Sequence, residues 1–135
     1  MHALVNSILK ILRGHSPVKN VRLISYDETP AGKLEVKIRC RLTGDYQFQV
    51  WLHHEPNTLD YAYQLFTDQP LLRWDNAPHY PKIATAPHHF HNENNKVSES
   101  QLAGIVLKDL DLVLSETKKW LDAQNTPTER TIDEK

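Results

Sequence analysis

The sequence predicts an α+β domain: an antiparallel meander of about five strands, with a short N-terminal helix and a long C-terminal helix packed on the sheet. Three observations predict it. Apolar residues recur at helical spacing near the two ends of the chain. The runs between them alternate apolar and polar residues with period two. The turns joining those runs are short, which favours antiparallel pairing.

Each element has its own signal. Leu4, Val5, Ile8, Ile11 and Leu12 place a helix over residues 2–13, and Gly14 ends it. A first strand alternates Val21, Leu23 and Ser25 with Arg22, Ile24 and Tyr26, and a turn follows at residues 29–32. The second strand is the clearest. Leu34, Val36, Ile38, Cys40 and Leu42 point one way; Lys33, Glu35, Lys37, Arg39 and Arg41 point the other. After Thr43-Gly44-Asp45, a third strand puts Tyr46, Phe48, Val50 and Leu52 on one face. A fourth does so with Leu59, Tyr61, Tyr63 and Leu65. A short fifth strand over residues 71–75 leads into an unperiodic segment, about residues 76–97. That is long for a loop in a compact domain, and such loops are commonly functional or disordered. Ser98 and Gln101 match a capping box. The stripe Leu102, Ile105, Val106, Leu110, Val113, Leu114, Trp120 and Leu121 then predicts a helix of about six turns.

Composition narrows the function classes. The 135 residues suffice for one domain, expected over residues 1–123, followed by a mobile polar tail over 124–135. With 24% charged and 39% apolar residues the chain reads as a soluble globular protein. Its formal net charge is −1, so any nucleic-acid binding must use a local patch. Cys40 is the only cysteine, which excludes an internal disulfide and a cysteine zinc knuckle and agrees with a reducing compartment. It falls on an apolar face, as an inert buried thiol would. No apolar run approaches a membrane span. His2, Asn6 and Lys10 interrupt the N-terminal apolar segment, so no signal peptide is read. A cytoplasmic protein without membrane contact is expected.

The chemistry concentrates in Arg73-Trp74-Asp75-Asn76-Ala77-Pro78-His79-Tyr80-Pro81 and Pro87-His88-His89-Phe90-His91, which together hold four of the eight histidines. Histidines at ordinary pKa can both take and give a proton near neutral pH. Cleaving an RNA phosphodiester needs a base for the 2′-hydroxyl, an acid for the leaving oxygen and cations for the phosphate. Arg73 can grip a phosphate through two parallel bonds, and Lys82 can add charge. His88, His89 and His91 could instead bind a metal, but their spacing matches no standard signature and the prolines forbid a regular helix. No metal or cofactor is expected. The plain alternative is a wet loop whose histidines cap carbonyls. Asp75 and Asn76 fit a turn, and Asp75 can also orient a histidine or anchor Arg73.

Other residues have two readings as well. Lys33, Lys37, Arg39 and Arg41 could follow a phosphate backbone, but a solvated sheet face looks the same. Trp51 could stack a base or pack under the first helix. Trp74, Trp120, Tyr61 and Tyr63 read as core.

The two linked motifs over residues 73–91, after antiparallel strands and before a C-terminal helix, resemble the signature of the TumE-like toxins of prokaryotic toxin–antitoxin systems. The resemblance covers about residues 18–118. Trp74 stands where that pattern often has Tyr or Phe. The resemblance implies a small toxin neutralised by a cognate antitoxin, a DNA-binding protein encoded beside it, with endoribonuclease activity expected. The motif residues at matching positions are Arg73, Asp75, Asn76, His79, His88, His89 and His91. The expected catalytic residues are therefore His88, His91, His79 and Asp75, with Arg73, Asn76, Lys82 and His89 on an RNA substrate. His88 and His91 are expected to face one way in an extended segment and to transfer the protons, with His89 facing the other. Two other classes stay open: a binding module that inhibits a host target by occupancy, and a metal-dependent hydrolase using the histidine cluster. A homodimer is left open too.

Overall fold

The computed structural model describes residues 1–125; the predicted polar tail therefore lies almost wholly outside the described residues. The elements run α1 (Ala3–Gly14), β1 (Lys19–Glu28), β2 (Leu34–Arg41), β3 (Gln47–Glu55), β4 (Thr58–Phe66), β5 (Pro70–Asp75), β6 (His89–His91), β7 (Val97–Glu99) and α2 (Val106–Asn125). The strands form one seven-stranded sheet in sequence order, and every neighbouring pair is antiparallel. The α+β class and the meander with its two helices are as the sequence predicts. The sheet gains two short strands, β6 and β7, within the segment expected to be a loop.

Period-two alternation sorts the side chains. Leu34, Val36, Ile38 and Cys40 of β2, Phe48, Val50 and Leu52 of β3, and Tyr61, Tyr63 and Leu65 of β4 are buried on one face. Val5, Ile8 and Leu12 of α1 and Leu110, Val113 and Leu121 of α2 complete this core. Burial pushes the Cys40 thiol up to about 12, so it stays protonated and unreactive. Among the described residues, the other face carries no helix. Many of its side chains are half-buried or exposed, among them Lys37, Arg39, Gln49, Trp51, Gln64 and Arg73, whereas Ala62, Asp75 and His89 on it are buried. Trp51 lies on this open face, paired with Lys37 and Ala62, and not under α1.

Two local expectations fail. The alternation predicted for β1 is broken by register shifts, so Arg22 pairs with Arg39 and Ser25 with Lys37 on the open face, while Leu23 and Tyr26 pair with Ile38 and Val36. The capping box does not form, because Ser98 is drawn into β7 opposite Phe90. The helix starts later. Asp109, almost fully buried, instead accepts from the Ala103 and Gly104 N–H groups at 3.0 and 2.8 Å, securing the entry to α2.

Candidate functional site

The sheet's register builds the site. β5 and β6 pair Arg73 with His91, Trp74 with Phe90 and Asp75 with His89. Trp74 and Phe90 therefore share the helix face, with ring centroids 4.9 Å apart. Arg73, Asp75, His89 and His91 share the open face.

Asp75 is the hub. Its side chain is 7% exposed, and its two oxygens serve different partners. Oδ2 accepts from Arg73 Nε at 2.8 Å and lies 3.7 Å from His91 Nε2. Oδ1 lies 3.0 Å from His89 Nε2 and accepts the Ala77 N–H at 3.0 Å. A buried carboxylate needs such compensation, and here charged and neutral donors supply it together. The turn role and the anchoring role of Asp75 thus coexist.

His89 is fully enclosed, and its Nδ1 lies 3.0 Å from the Pro87 carbonyl. A carbonyl only accepts, so Nδ1 carries a hydrogen. The contact with Asp75 then requires one proton between Nε2 and the carboxylate. His91 is 18% exposed and borders a groove of about 470 Å³ with Gln64, Arg73 and Asn95. Burial lowers its pKa below the ordinary imidazole value, and His89 and Arg73 push the same way; Asp75 and Asn95 oppose them. Arg73 donates from Nη1 to Gln64 Oε1 at 2.7 Å; among the described residues its Nη2 has no partner. Tyr80, 38% exposed on the 76–88 loop, lays its ring 4.8 Å from His89 and 5.8 Å from His91.

Four expected placements change. His88 is not beside His91: in a strand, residues i and i+2 share a face, so His89 accompanies His91. His88 precedes β6 and turns to the helix side, where its Nδ1 lies 2.7 Å from Tyr61 Oη and its ring stacks on Tyr61 at 5.8 Å. Burial raises the Tyr61 pKa, so the phenol keeps its proton and shares a hydrogen bond with Nδ1. A Cβ at Gly104, whose φ is +82°, would come within 3.4 Å of His88 Cε1. His89, expected on the substrate, is walled in beneath Tyr80. Asn76 is committed to the fold: its amide donates to the Leu59 carbonyl at 2.7 Å and accepts from the Tyr61 N–H at 2.9 Å, so a side chain closes the β4–β5 ladder. His79 and Lys82 are exposed on the loop, and their side chains make no contact with the Asp75 cluster among the described residues.

Tyr80 was missed because a single aromatic between prolines has no period to reveal its direction. A second groove of about 460 Å³ lies on the helix side between Trp74, Phe90 and α2 and is lined by none of the histidines.

The ligand atoms of Asp75, His89 and His91 lie within 4.8 Å of one another, and such a set can hold a divalent cation. The hydrogen bond from His89 to a backbone carbonyl is the kind that orients metal-bound imidazoles. Arg73 weighs against it. Its guanidinium already occupies the carboxylate oxygen nearest His91, and a cation there would face that charge across one shared oxygen.

The family model described as toxin TumE matches residues 8–121. The chain belongs to the TumE toxin family. The match spans the whole sheet, most of α1 and the core-forming part of α2. It therefore includes every residue of the Asp75 cluster. No curated protein and no solved structure matches the chain. Among the described residues of this TumE-family toxin, no helix is long and apolar enough to cross a membrane.

Proposed function

We propose that the protein is a toxin endoribonuclease that cleaves RNA in the cytoplasm without a metal and is neutralised by a cognate antitoxin. The observation that carries this reading is the convergence of Arg73, His89 and His91 on the buried Asp75, at the edge of an open groove. His91, kept neutral by burial, takes the proton from a 2′-hydroxyl. The 2′-oxygen attacks phosphorus, the 5′-oxygen leaves, and a cyclic phosphate remains. The free Nη2 of Arg73 meets the charge that develops on the phosphate oxygens. Asp75 and the enclosed His89 are positioning residues that fix Arg73 and His91. The proton for the leaving oxygen falls to the 76–88 loop, which carries His79 and lays Tyr80 against His89 and His91.

The test is a cleavage assay on total and transfer RNA with and without EDTA. The expected result is cleavage that survives EDTA and is lost in His91→Ala. Cleavage abolished by EDTA and restored by one added ion would overturn the metal-free mechanism in favour of a metal-dependent hydrolase. No cleavage under any condition would leave inhibition by occupancy.

A further inference from the structure

One row of the open face runs unbroken across six strands: Arg22, Arg39, Gln49, Gln64, Arg73 and His91 are successive cross-strand partners. The arginines in it are held in an unusual way. Arg22 donates to Gln47 Oε1 at 3.3 Å, Arg39 to Gln49 Oε1 at 2.7 Å and Arg73 to Gln64 Oε1 at 2.7 Å. A glutamine oxygen orients a guanidinium without cancelling its charge. Among the described residues, Arg22, Arg39, Arg41 and Lys37 form no ion pair with any carboxylate. Carboxylates lie off the row: Asp45 and Asp68 flank the cavity of about 780 Å³ over Arg22 and Arg39, and Glu55 and Asp60 attend His53 further along the strands. A solvated face with interspersed signs would neutralise its arginines. This face positions Arg22 and Arg39 with glutamines and, among the described residues, gives neither a carboxylate partner; of the row's arginines Arg73 alone is ion-paired, to Asp75.

The next row supplies an aromatic platform. Trp51 lies between Lys37 and the small, buried Ala62, and Ala62 is followed by Asp75. At about 4.8 Å per strand, Trp51 is roughly 10 Å from the Asp75 hub, and Arg39 is about 14 Å from Arg73. Those spans match a few nucleotides of an extended strand, not a mononucleotide.

We propose that the helix-free face binds single-stranded RNA laid across the strands, with Arg22 and Arg39 taking phosphates away from the cut, Trp51 stacking a base and Arg73 holding the phosphate to be cleaved. This rests on the ribonuclease reading above. The substrate class it names is a single strand several nucleotides long, because a paired helix would hide the faces that Trp51 needs.

The experiment measures binding apart from cleavage. His91→Ala protein is titrated into a fluorescein-labelled single-stranded 12-mer RNA, and anisotropy is read over a series of salt concentrations. Adding Arg22→Gln and Arg39→Gln should weaken binding at least about tenfold at low salt. It should also flatten the log–log salt slope by about 1.4, the release expected for two phosphates on a single strand. Adding Trp51→Ala instead should weaken binding about 5- to 100-fold with the slope unchanged. Lys108→Gln with Lys118→Gln, on the helix side, should change neither, and thermal melting confirms that each variant folds. An unchanged slope and affinity in the double arginine variant overturns the track. So does loss of antitoxin binding in that variant with RNA binding intact, which would assign the face to a protein partner. RNA binding that needs the row, in a protein whose His91-bearing form cuts nothing, would sink the ribonuclease reading and leave the track standing.

Discussion

Two carboxylates, Asp75 and Asp109, are buried on opposite sides of the same sheet, 5% and 2% exposed. Each is a hub, but their donors differ. Asp109 accepts two backbone N–H groups, from Ala103 and Gly104, and among the described residues it has no titratable partner within hydrogen-bonding distance. Asp75 accepts one backbone N–H and otherwise gathers an arginine and two histidines. The histidines divide in the same way. His91 faces a groove, whereas His88, three residues earlier, is held by a phenol against Gly104. Burial of an ionisable group is thus no sign of chemistry by itself. What separates the two sides is whether the partners can themselves exchange protons or bind an anion, and whether a ligand can reach them.

That contrast can be broken by substitution. Asp75→Ala should have the largest effect, because it strands Arg73 and His89 together: a loss of about 3–5 kcal/mol in urea unfolding, with RNA cleavage abolished. A variant that folds and cuts normally would remove Asp75 from the centre. His91→Ala should leave the melting curve nearly unchanged while cleavage falls about 10²–10⁴-fold. Asp109→Ala should do the reverse, costing about 2–3 kcal/mol of stability with cleavage per folded molecule unaltered. His88→Ala should cost about 1–2 kcal/mol by leaving the Tyr61 hydroxyl without its partner. If His88→Ala stayed stable but lost cleavage, the division between the two sides would be wrong.

The smallest effect is that of pH on stability. His91 has a lowered pKa in the folded protein, so its contribution is complete above the unfolded value of about 6.5 and is lost as pH falls from there through the folded value. Comparing wild type and His91→Gln in urea between pH 7.5 and 5 should show a shallower acid loss in the variant. Equal slopes would mean that His91 is not held neutral by its surroundings.

Much of the fold was legible because period two survives wherever a strand is long and one of its faces is buried. β2, β3 and β4 each run eight or nine residues, and their apolar faces are where the alternation puts them. β6 and β7 have three residues each, too few to establish a period, and the neighbouring prolines argued for a loop. Even in an extended segment residues two apart share a face, so His89 and not His88 accompanies His91; the expectation had paired residues three apart. Ser98 and Gln101 looked like a helix start because a capping box is a four-residue pattern, and Ser98 of β7 with Gln101 just beyond the strand matches it by chance. Arg73 and Asp75 were legible as a pair since residues two apart in a strand share a face. The glutamines that hold the arginines were not, because their role exists only once the register across strands is known.

The meander also has a kinetic side. Each strand pairs only with its neighbour in sequence, so, apart from the 76–88 loop before β6, the sheet closes through short loops at little entropic cost. α2 breaks that locality, since Leu110, Val113 and Leu121 cover core residues contributed by strands far earlier in the chain. During synthesis the sheet can form hairpin by hairpin, yet its apolar face is covered only by α1 until the last helix has emerged. A premature stop between residues 92 and 106 leaves every residue of the Asp75 cluster in place and removes the cover that α2 gives the opposite face, so a frameshift late in the reading frame should disarm the toxin as completely as one at its start.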